Sequence, residues 1–557
     1  MKKKYVRWTL WTIASPFILF IILCILIYLP PIQNFLVDKA AVYASEATGM
    51  NISVGRISLS FPLNLVVTNV DAASPHNDTL LSVRRLQVNV QLLPLLKKQV
   101  EVDGISLQGA TVNSNDLIHG MKLNGTLGEL FISSHGVALD PETAIVNKVL
   151  LKDTDLSLCL NDTAAADTAA SDTAYWKIIL QDIDLQNVSF ALDMPLDSLS
   201  LAASLDNAIL RDGLIDLHKS AYSLQTFRIE NGRVRYDNGK PLAADSLSSG
   251  LDPSHIALTD IGVKLDSLYY GGRNMKAIIS QFVLKERSGV EIVSATGRMV
   301  SNDKVLRVPS LKLETRDSYL ELNAAMDWNA LDFKDEGLVS ARLMADIGKP
   351  DVVRFMGSMD EKFIRQYPSE PLRIRTGIDG DLNKLKLTTL TAELPGALGL
   401  FARGELTHLT DSLLRGGDIT LEAETKDLKF VSTLAEGIEI PYGTRLEGKF
   451  TMAGTKMGTD LLLMQPEAQA VVAADTIPIT VYNDSISVAD DFKMERAARL
   501  FAKYDLSRDR YEADLAVNHF DLHQFMPADS LYTLSTRLKV EGEGFDFFSP
   551  RTYFNAG

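Results

Sequence analysis

The residues best suited to chemistry are a histidine pair and an acidic loop, and neither completes a known site. His519 and His523 have the i, i+4 spacing of zinc-binding pairs, but the three residues between them are Phe-Asp-Leu, without the glutamate of a metalloprotease motif. Asp379 begins a calcium-loop-like Asp-Gly-Asp-Leu-Asn, but position six is Lys384 instead of glycine and position twelve is Leu390 instead of glutamate. We therefore expect no metal at either place.

Paired carboxylates occur at Asp153/Asp155 and at Asp182/Asp184. Alternate residues of a β-strand point to the same side, so each pair is typical of a water-facing strand surface. The sequence contains no phosphate-binding loop, no dinucleotide fingerprint and no Gly-x-Ser-x-Gly nucleophile motif. The residues therefore predict a protein that is not an enzyme and that needs no cofactor.

The charge balance narrows the class of partner. The chain has 557 residues and a formal net charge of −15, and removing the four cations of residues 1–9 leaves −19 for the rest. This balance argues against nucleic acid and against broad electrostatic attraction to anionic lipid. The two cysteines, Cys24 and Cys159, predict neither an intramolecular disulfide nor a metal cluster, so burial and backbone pairing must hold the fold.

Residues 10–29 (LWTIASPFILFIILCILIYL) predict a transmembrane anchor. Twenty residues at the rise of a helix span about 30 Å, the thickness of one hydrocarbon core. The basic tail, residues 1–9, should remain cytoplasmic, which places the bulk of the chain on the far side of the membrane. A cleaved signal peptide is the alternative, but its apolar region is shorter and a small-residue cleavage site follows it closely. Here the apolar run ends in Leu-Pro-Pro, which favours an uncleaved anchor.

Residues 32–48 (IQNFLVDKAAVYASEAT) predict one amphipathic helix outside the membrane. Phe35, Leu36 and Tyr43 fall on one apolar face at spacings of three and four, and Gly49 is a natural stop. We expect this helix to cap the end of the fold that follows.

Residues 50–338 predict a mostly β region of alternating strands. Ile52–Val54 and Ile57–Leu59 indicate two short strands at its start, and residues 230–232 (Glu-Asn-Gly) indicate a turn between strands. The low-complexity tract at residues 161–174 predicts a solvated loop.

Residues 339–557 predict repeated β units. Ser340–Phe355, Asp418–Leu434 and Tyr511–Phe525 each read as a strand followed by a short helical step, and a second strand that ends in a glycine turn follows each one. Chance similarity within a strand-rich chain is the alternative. Because no terminal cap is evident, we expect the protein to continue beyond Gly557.

The first part of the chain resembles the AsmA/TamB family of envelope proteins. The resemblance is carried by the N-terminal anchor, the helix ending in Thr48-Gly49 and residues 54–63 (VGRISLSFPL), 78–81 (DTLL), 88–96 (VNVQLLPLL) and 100–107 (VEVDGISL). It implies an elongated, antiparallel-rich β-sheet that curls into an open gutter with an apolar interior. It also implies a single-pass inner-membrane protein, largely periplasmic, that moves phospholipid to the outer membrane.

With that resemblance, the alternating apolar residues become candidates to line a lipid groove. The partner would be phospholipid acyl chains, and exposing about 15 methylenes of one chain to water costs ~12 kcal/mol. The candidate lining residues are Leu86, Val88, Val90, Leu92, Leu156, Leu158, Leu160, Ile183, Leu185, Leu320, Leu322, Leu385 and Leu387.

Two other functions remain open at this point. One is a scaffold that assists the assembly of outer-membrane β-barrel proteins through an exposed strand edge. The other is a passive binding module of closed β-sandwiches, in which two sheets seal the apolar side chains between them.

Overall fold

The computed structural model describes residues 41–42, 45, 50–60, 64–74, 79–91, 102–114, 121–138, 142–161, 176–239, 250–332, 337–356, 360–434, 437–470, 494–528, 530–545 and 552–557. The predicted tail, the anchor and the loop after Asn161 lie outside these residues. Of the predicted capping helix, Ala41, Val42 and Ser45 are described and are helical, whereas Phe35, Leu36 and Tyr43 lie outside. Within the described part of the chain, no helix combines the length and the apolar character needed to cross a bilayer.

The described chain is mostly β-strand, as its alternating pattern predicts, and nearly all neighbouring strands are antiparallel. It divides into unit 1, Met1–Leu247 with Asp252–Arg287, and unit 2, Ser248–Leu251 with Ser288–Gly557. Unit 2 therefore contains strands on both sides of the boundary predicted near residue 338.

The strands of unit 1 are β1 (Asn51–Ser60), β2 (Asn64–Ala73), β3 (Thr79–Val90), β4 (Val102–Asn113), β5 (Met121–Ala138), β6 (Thr143–Leu160), β7 (Lys177–Met194), β8 (Leu199–Asp216), β9 (Ala221–Leu224), β10 (Thr226–Asn238), β11 (His255–Gly271) and β12 (Asn274–Glu286). Each pairs with the next in the chain, except that β9 and β10 together form one interrupted strand between β8 and β11. The one parallel pair described in this unit is β6–β7. A parallel pair requires the chain to return to the starting end of the strand between Leu160 and Lys177.

Two expectations about unit 1 are wrong in detail. The predicted short strands Ile52–Val54 and Ile57–Leu59 are one strand, β1, paired with β2 on both sides of Gly55. The predicted turn at residues 230–232 lies inside β10, which continues to pair with β8 beyond it. In both places an irregular residue interrupts the alternation while the strand continues.

The strands of unit 2 are β13 (Glu291–Ser301), β14 (Val305–Thr315), β15 (Tyr319–Asp327), β16 (Leu338–Ile347), β17 (Leu372–Asp381), β18 (Lys384–Leu394), β19 (Leu398–Thr407), β20 (Gly416–Thr425), β21 (Arg445–Ala453), β22 (Lys456–Ala470), β23 (Met494–Asp505), β24 (Arg510–Asp521), β25 (Thr533–Glu543) and β26 (Tyr553–Ala556). Each is antiparallel to the next, in an uninterrupted meander.

Short helices in unit 2 follow β15, β16, β20 and β24. They are α1 (Trp328–Leu331), α2 (Lys349–Met356), α3 (Glu361–Gln366) and the 3₁₀ turns η1 (Lys429–Thr433) and η2 (Leu522–Gln524). The strands β16, β20 and β24 run in one direction, so the helical turns that follow them lie along one edge of the unit 2 sheet. Each of the three segments predicted to repeat contains most of one of these strands, together with all or nearly all of α2, η1 or η2.

The largest described apolar core lies at this helical edge. Phe363, Tyr367 and Phe430 pack with ring centroids 5.1 to 5.6 Å apart, together with Leu394 and Leu428. The core therefore joins α3 to η1 and closes that edge of the sheet. It does not extend over the middle of the strands.

Candidate functional site

Apolar side chains form continuous files across unit 1, perpendicular to the strands. In an antiparallel or parallel pair, residues in register point to the same face, so a file can be followed from strand to strand. The file through Val88 consists of Leu59, Leu65, Val88, Ile105, Ile132, Val149, Ile183, Leu210, Phe227, Leu265 and Ile279. The parallel file through Leu86 consists of Ile57, Val67, Leu86, Leu107, Leu130, Leu151, Leu185, Ala208, Ile229, Val263 and Phe282.

These two files, which we call the Val88 wing, are apolar at every position and are only partly covered. Every side chain of the Val88 file is half-buried, and so is every side chain of the Leu86 file except the buried Ala208. A side chain sealed between two sheets would be fully buried. The described strands of unit 1 therefore present a wide apolar surface that remains accessible.

A second pair of apolar files lies farther along the same strands and forms what we call the Leu156 wing. One file consists of Ile52, Ala72, Leu81, Val112, Gly125, Leu156, Phe190, Ala203, Val234 and Leu258, and the other of Leu123, Leu158, Leu192, Leu201, Tyr236 and Ile256. Phe190 is 39% exposed and Leu81 is 36% exposed. This wing is at least as open as the Val88 wing.

A line of irregular residues, the crease, separates the two wings. It consists of Gly55, Asn69, Arg84, Gly109, Gly128, Asp153, Asn187, Asp206, Asn231 and Asp260. In most of these strands the ladder skips the crease residue and resumes on its far side. The crease therefore crosses the sheet from β1 to β11 as one continuous feature.

Left-handed backbone conformation makes the crease. Asn69, Gly109, Asp153 and Asn187 have φ of 54°, 61°, 49° and 51°, and residues 231 and 260 are similar. Asparagine, aspartate and glycine are the residues that adopt this region most readily. The opposing strand often supplies glycine, and a Cβ on Gly128 would lie 2.7 Å from the Cβ of Asp153.

The crease allows both wings to share one face of the sheet. Within each strand the apolar residues alternate at every second position, but two consecutive polar residues separate the wings, as in Val83-Arg84-Arg85-Leu86. The polar doublet shifts the alternation by one residue. Arg84 and Arg85 are both exposed, as are Lys152 and Asp153, which indicates that both members of a doublet point to water. The apolar face consequently continues past the crease.

Several side chains next to the crease are buried, whereas most residues of the two wings are half-buried. Val83, Ala110 and Thr154 flank it on one side and are 5%, 8% and 2% exposed, and Ala208 flanks it on the other at 4%. These are small side chains surrounded by larger ones on both wings. The apolar face is therefore deepest along the crease.

The opposite face of unit 1 is polar. One of its files consists of Ser53, Asp71, Ser82, Thr111, Thr126, Asp155, Ser189, Ser204 and Arg233. The carboxylate pairs noted in the sequence lie on this face. Asp182 and Asp184 both form ion pairs with Arg211, and the Asp153 carboxylate accepts a hydrogen bond of 2.9 Å from Nδ2 of Asn187. These carboxylates therefore join neighbouring strands on the polar face.

The structure places most of the predicted lining residues of unit 1 on the apolar face. Leu86 and Leu185 share one file, and Val88 and Ile183 share the next. Leu156 and Leu158 belong to the other wing, across the crease from these four, and Leu160 and Val90 lie at strand ends. Leu92 lies outside the described residues.

The sheet of unit 2 also has one apolar face and one polar face. Its file through Leu322 consists of Leu311, Leu322, Leu343, Thr376, Leu390, Ala402, Leu421, Gly448, Leu461, Leu500, Leu515 and Leu538. Leu320 lies in the neighbouring file. Leu385 and Leu387 lie on the same face even though their spacing to Leu390 is odd, because a bulge at Thr388–Thr389 inserts one extra residue.

A concave pocket of about 590 Å³ lies on this apolar face. Its walls include Ile419, Phe450, Met457, Tyr504 and Tyr511, and these residues belong to the files that contain Leu385 and Leu387. The volume lies within the range of small-molecule sites, and the lining is almost entirely apolar. Phe450 and Met457 are 43% and 45% exposed, so the pocket is open to water.

The opposite face of unit 2 carries cross-strand ion pairs. They are Arg375–Asp346 at 2.6 Å, Arg499–Asp460 at 2.5 Å, Arg537–Asp514 at 2.8 Å and Lys384–Glu405 at 3.1 Å. The hydrogen bond from Arg537 lowers the pKa of Asp514, and the hydrogen bond to Asp460 raises the pKa of Arg499. These charges keep one face hydrated, so only the other face is available to an apolar ligand.

The two histidines considered in the sequence occupy different elements. His519 lies in β24, with Nδ1 2.8 Å from Oδ1 of Asn518, whereas His523 lies in η2 and stacks on Tyr532 at 5.1 Å. Across the described ranges, no group of three or more His, Cys, Asp or Glu side chains is arranged to hold a metal ion.

Comparison of the sequence with protein-family models and with curated proteins gives no match. The resemblance to the AsmA/TamB family therefore stays a prediction from the motifs near the N-terminus.

Alternation alone does not indicate the crease, but the amino-acid sequence carries a local signal for it. Ten segments share the pattern apolar-x-apolar, two residues, apolar-x-apolar, with small exceptions: ISVGRISL, LVVTNVDA, LSVRRLQV, ISLQGATV, GTLGELFI, VLLKDTDL, IDLQNVSF, ASLDNAIL, FRIENGRV and IALTDIGV. The central pair is usually polar or glycine and usually contains Asn, Asp or Gly. A search for this eight-residue repeat would have located the crease in each strand.

Proposed function

We propose that this protein is a membrane-anchored lipid carrier of the cell envelope. Its sheets form a gutter whose apolar face binds phospholipid acyl chains, and the lipids move along that face between the inner and outer membranes. The N-terminal anchor holds the chain in the inner membrane, and the β units lie in the periplasm. The proposal assigns no catalytic step and no cofactor to the chain.

The observation that carries the proposal is the continuity of the apolar files. In each unit the files pass from strand to strand in register, and most of their side chains are half-buried. Burying one methylene is worth ~0.8 kcal/mol, so a continuous apolar surface removes most of the cost of moving an acyl chain through water. A discontinuous surface would leave a barrier at each gap.

The polar face supports the same function. Acyl chains need an apolar contact on one side, while the head group needs water. Because each sheet keeps its charges on the other face, a lipid can lie on the apolar face with its head group in solvent, and no specific polar pocket is required.

The test is lipid mass spectrometry on the full chain, purified in mild detergent beside an unrelated envelope protein. We expect several phospholipids per chain. Val88→Asp and Leu158→Asp should remove them, whereas Gln87→Asp and Ser157→Asp, which alter the adjacent residue on the polar face, should not. A lipid-free, monodisperse protein would refute the proposal and favour the scaffold for outer-membrane proteins.

A further inference from the structure

We infer that the crease residues of unit 1 are positioning residues for acyl chains. Six of the ten hold a left-handed conformation, in line across the sheet. Together the crease residues bend the sheet toward its apolar face and set the angle between the Val88 wing and the Leu156 wing. The acyl chain then lies along the crease, at the deepest part of the face. This inference rests on the proposed function.

The direction of the bend follows from the polar doublets. Where two consecutive side chains point to the polar face, the backbone must cover more length on that face, so the sheet becomes convex there. The strands keep the same register on both sides of the crease from β1 to β8, so the irregularity occurs in every strand and adds no extra residue to one strand of a pair. The apolar face consequently becomes concave, with the crease at its bottom.

The burial of small side chains agrees with this direction. Val83, Ala110, Thr154 and Ala208 flank the crease and are among the few buried residues described in unit 1. Two wings that close toward each other cover the residues at their junction first. If the sheet bent the other way, these residues would be the most exposed of the apolar face.

Crease residues on neighbouring strands form hydrogen bonds to each other. Nδ2 of Asn187 donates to the Asp153 carboxylate at 2.9 Å, and Asn231 hydrogen-bonds to Asp206. Asp260 adds an ion pair with Lys285 at 2.8 Å. Their side chains lie on the polar face, so they do not touch a ligand on the apolar face and can act on it only through the bend.

The preference of each residue type for positive φ determines which variants test the bend. Asparagine and aspartate tolerate positive φ, glycine adopts it freely, and β-branched valine resists it. We compare the triple variant Asn69→Val, Asp153→Val and Asn187→Val with the matched glycine triple at the same three positions. Both remove the same polar side chains, so only the backbone preference distinguishes them.

The wing angle is measured by electron spin resonance between labels at Asn124 and Ser133. Both lie on the polar face of β5, on opposite sides of Gly128, in a background with Cys24→Ser and Cys159→Ser. A straight strand would separate them by about 30 Å, because nine residues advance ~3.3 Å each. We expect a shorter distance in the unaltered and glycine proteins and a distance close to the straight value in the valine triple.

Bound phospholipid per chain is measured on the same samples. We expect the glycine triple to retain it and the valine triple to lose about tenfold, which corresponds to the loss of about two methylene contacts. An unchanged distance in the valine triple, a changed distance with unchanged lipid, or equal loss in both triples would each overturn the inference. If the valine triple does not fold, Asp153→Val against Asp153→Gly decides the same outcomes.

The two readouts separate this inference from the proposed function. If the unaltered chain carries no phospholipid, the proposed function fails and the positioning role fails with it, while the label distance still shows whether the crease bends the sheet. If the unaltered chain carries lipid and the valine triple keeps it, only the inference fails.

Discussion

Placing a charge at Val88 distinguishes an open apolar face from a sealed core. Val88 lies between Leu65 and Ile105 in its file, and it is half-buried. The neighbouring Gln87 points to the polar face, where it donates to Asn89 at 3.0 Å. Val88→Asp and Gln87→Asp therefore add the same charge to the same strand on opposite faces.

The expected loss of stability for Val88→Asp is small. Half of the transfer free energy of a valine side chain is about 1 kcal/mol, and an aspartate on an open face remains hydrated. In a unit of this size, that loss lowers Tm by about 2–4 °C. An aspartate sealed between two sheets would instead bury an unpaired polar group and cost several kcal/mol, with a fall in Tm of more than about 10 °C.

The expected loss of lipid is large. Neighbouring strands are ~4.8 Å apart, a length that holds about four methylenes of an extended chain. Losing their contact removes ~3 kcal/mol, or more than about a hundredfold in local affinity. Thermal unfolding by circular dichroism and bound phospholipid by mass spectrometry measure the two effects on one preparation. Equal effects of the two variants, or a collapse of stability in Val88→Asp alone, would refute the reasoning.

Three further predictions concern the framework. Gly128→Ala should lower the free energy of unfolding, measured by urea titration, by about 1–3 kcal/mol, because the new Cβ would lie 2.7 Å from the Cβ of Asp153. Gly399→Ala is the control and should not change it, because no heavy atom lies within 4 Å of its Cβ position. Asp351→Ala should weaken the attachment of helix α2 to the sheet and raise the hydrogen-exchange rate of its amides. The buried Asp351 carboxylate accepts hydrogen bonds from Thr315, Ser318 and Arg354, and losing such a charged partner costs about 3 kcal/mol. Asp505 should lose its stabilising effect on the β23–β24 turn as the pH falls from about 4 to about 2, because hydrogen bonds from the hydroxyl and the backbone N–H of Ser507 lower its pKa to about 2.

Each of these has an outcome that would contradict it. Equal stability of the two alanine variants would mean that the crease accepts a side chain opposite Asp153. Unchanged exchange of α2 would mean that other contacts hold this helix to the sheet. Because the pKa of Asp505 is lower in the folded state, its carboxylate stabilises the turn above the unfolded pKa, and that stabilisation is lost as the carboxylate protonates. Asp505→Asn should therefore abolish the change with pH in the hydrogen-exchange protection factors of the turn. Its persistence would assign that change to another group.

The amino-acid sequence determined which residues face together within a strand. Alternation placed Leu86 beside Val88 and Leu320 beside Leu322 on one apolar face, and it placed Asp182 and Asp184 on the polar one, because side chains of a strand point to opposite sides in turn. The same local chemistry would also have identified the crease, since Asn, Asp and Gly mark left-handed positions wherever they interrupt the alternation.

The tertiary structure alone decided how those strands align. Whether Leu86 meets Leu107, and whether Leu385 and Leu390 share a face, depends on strand register and on a bulge, which turn geometry and neighbouring strands set together. The parallel pairing of β6 with β7 likewise has no signal within either strand, because the same alternation satisfies both directions. Local pattern therefore made each strand two-faced, and long-range pairing joined the faces into continuous files.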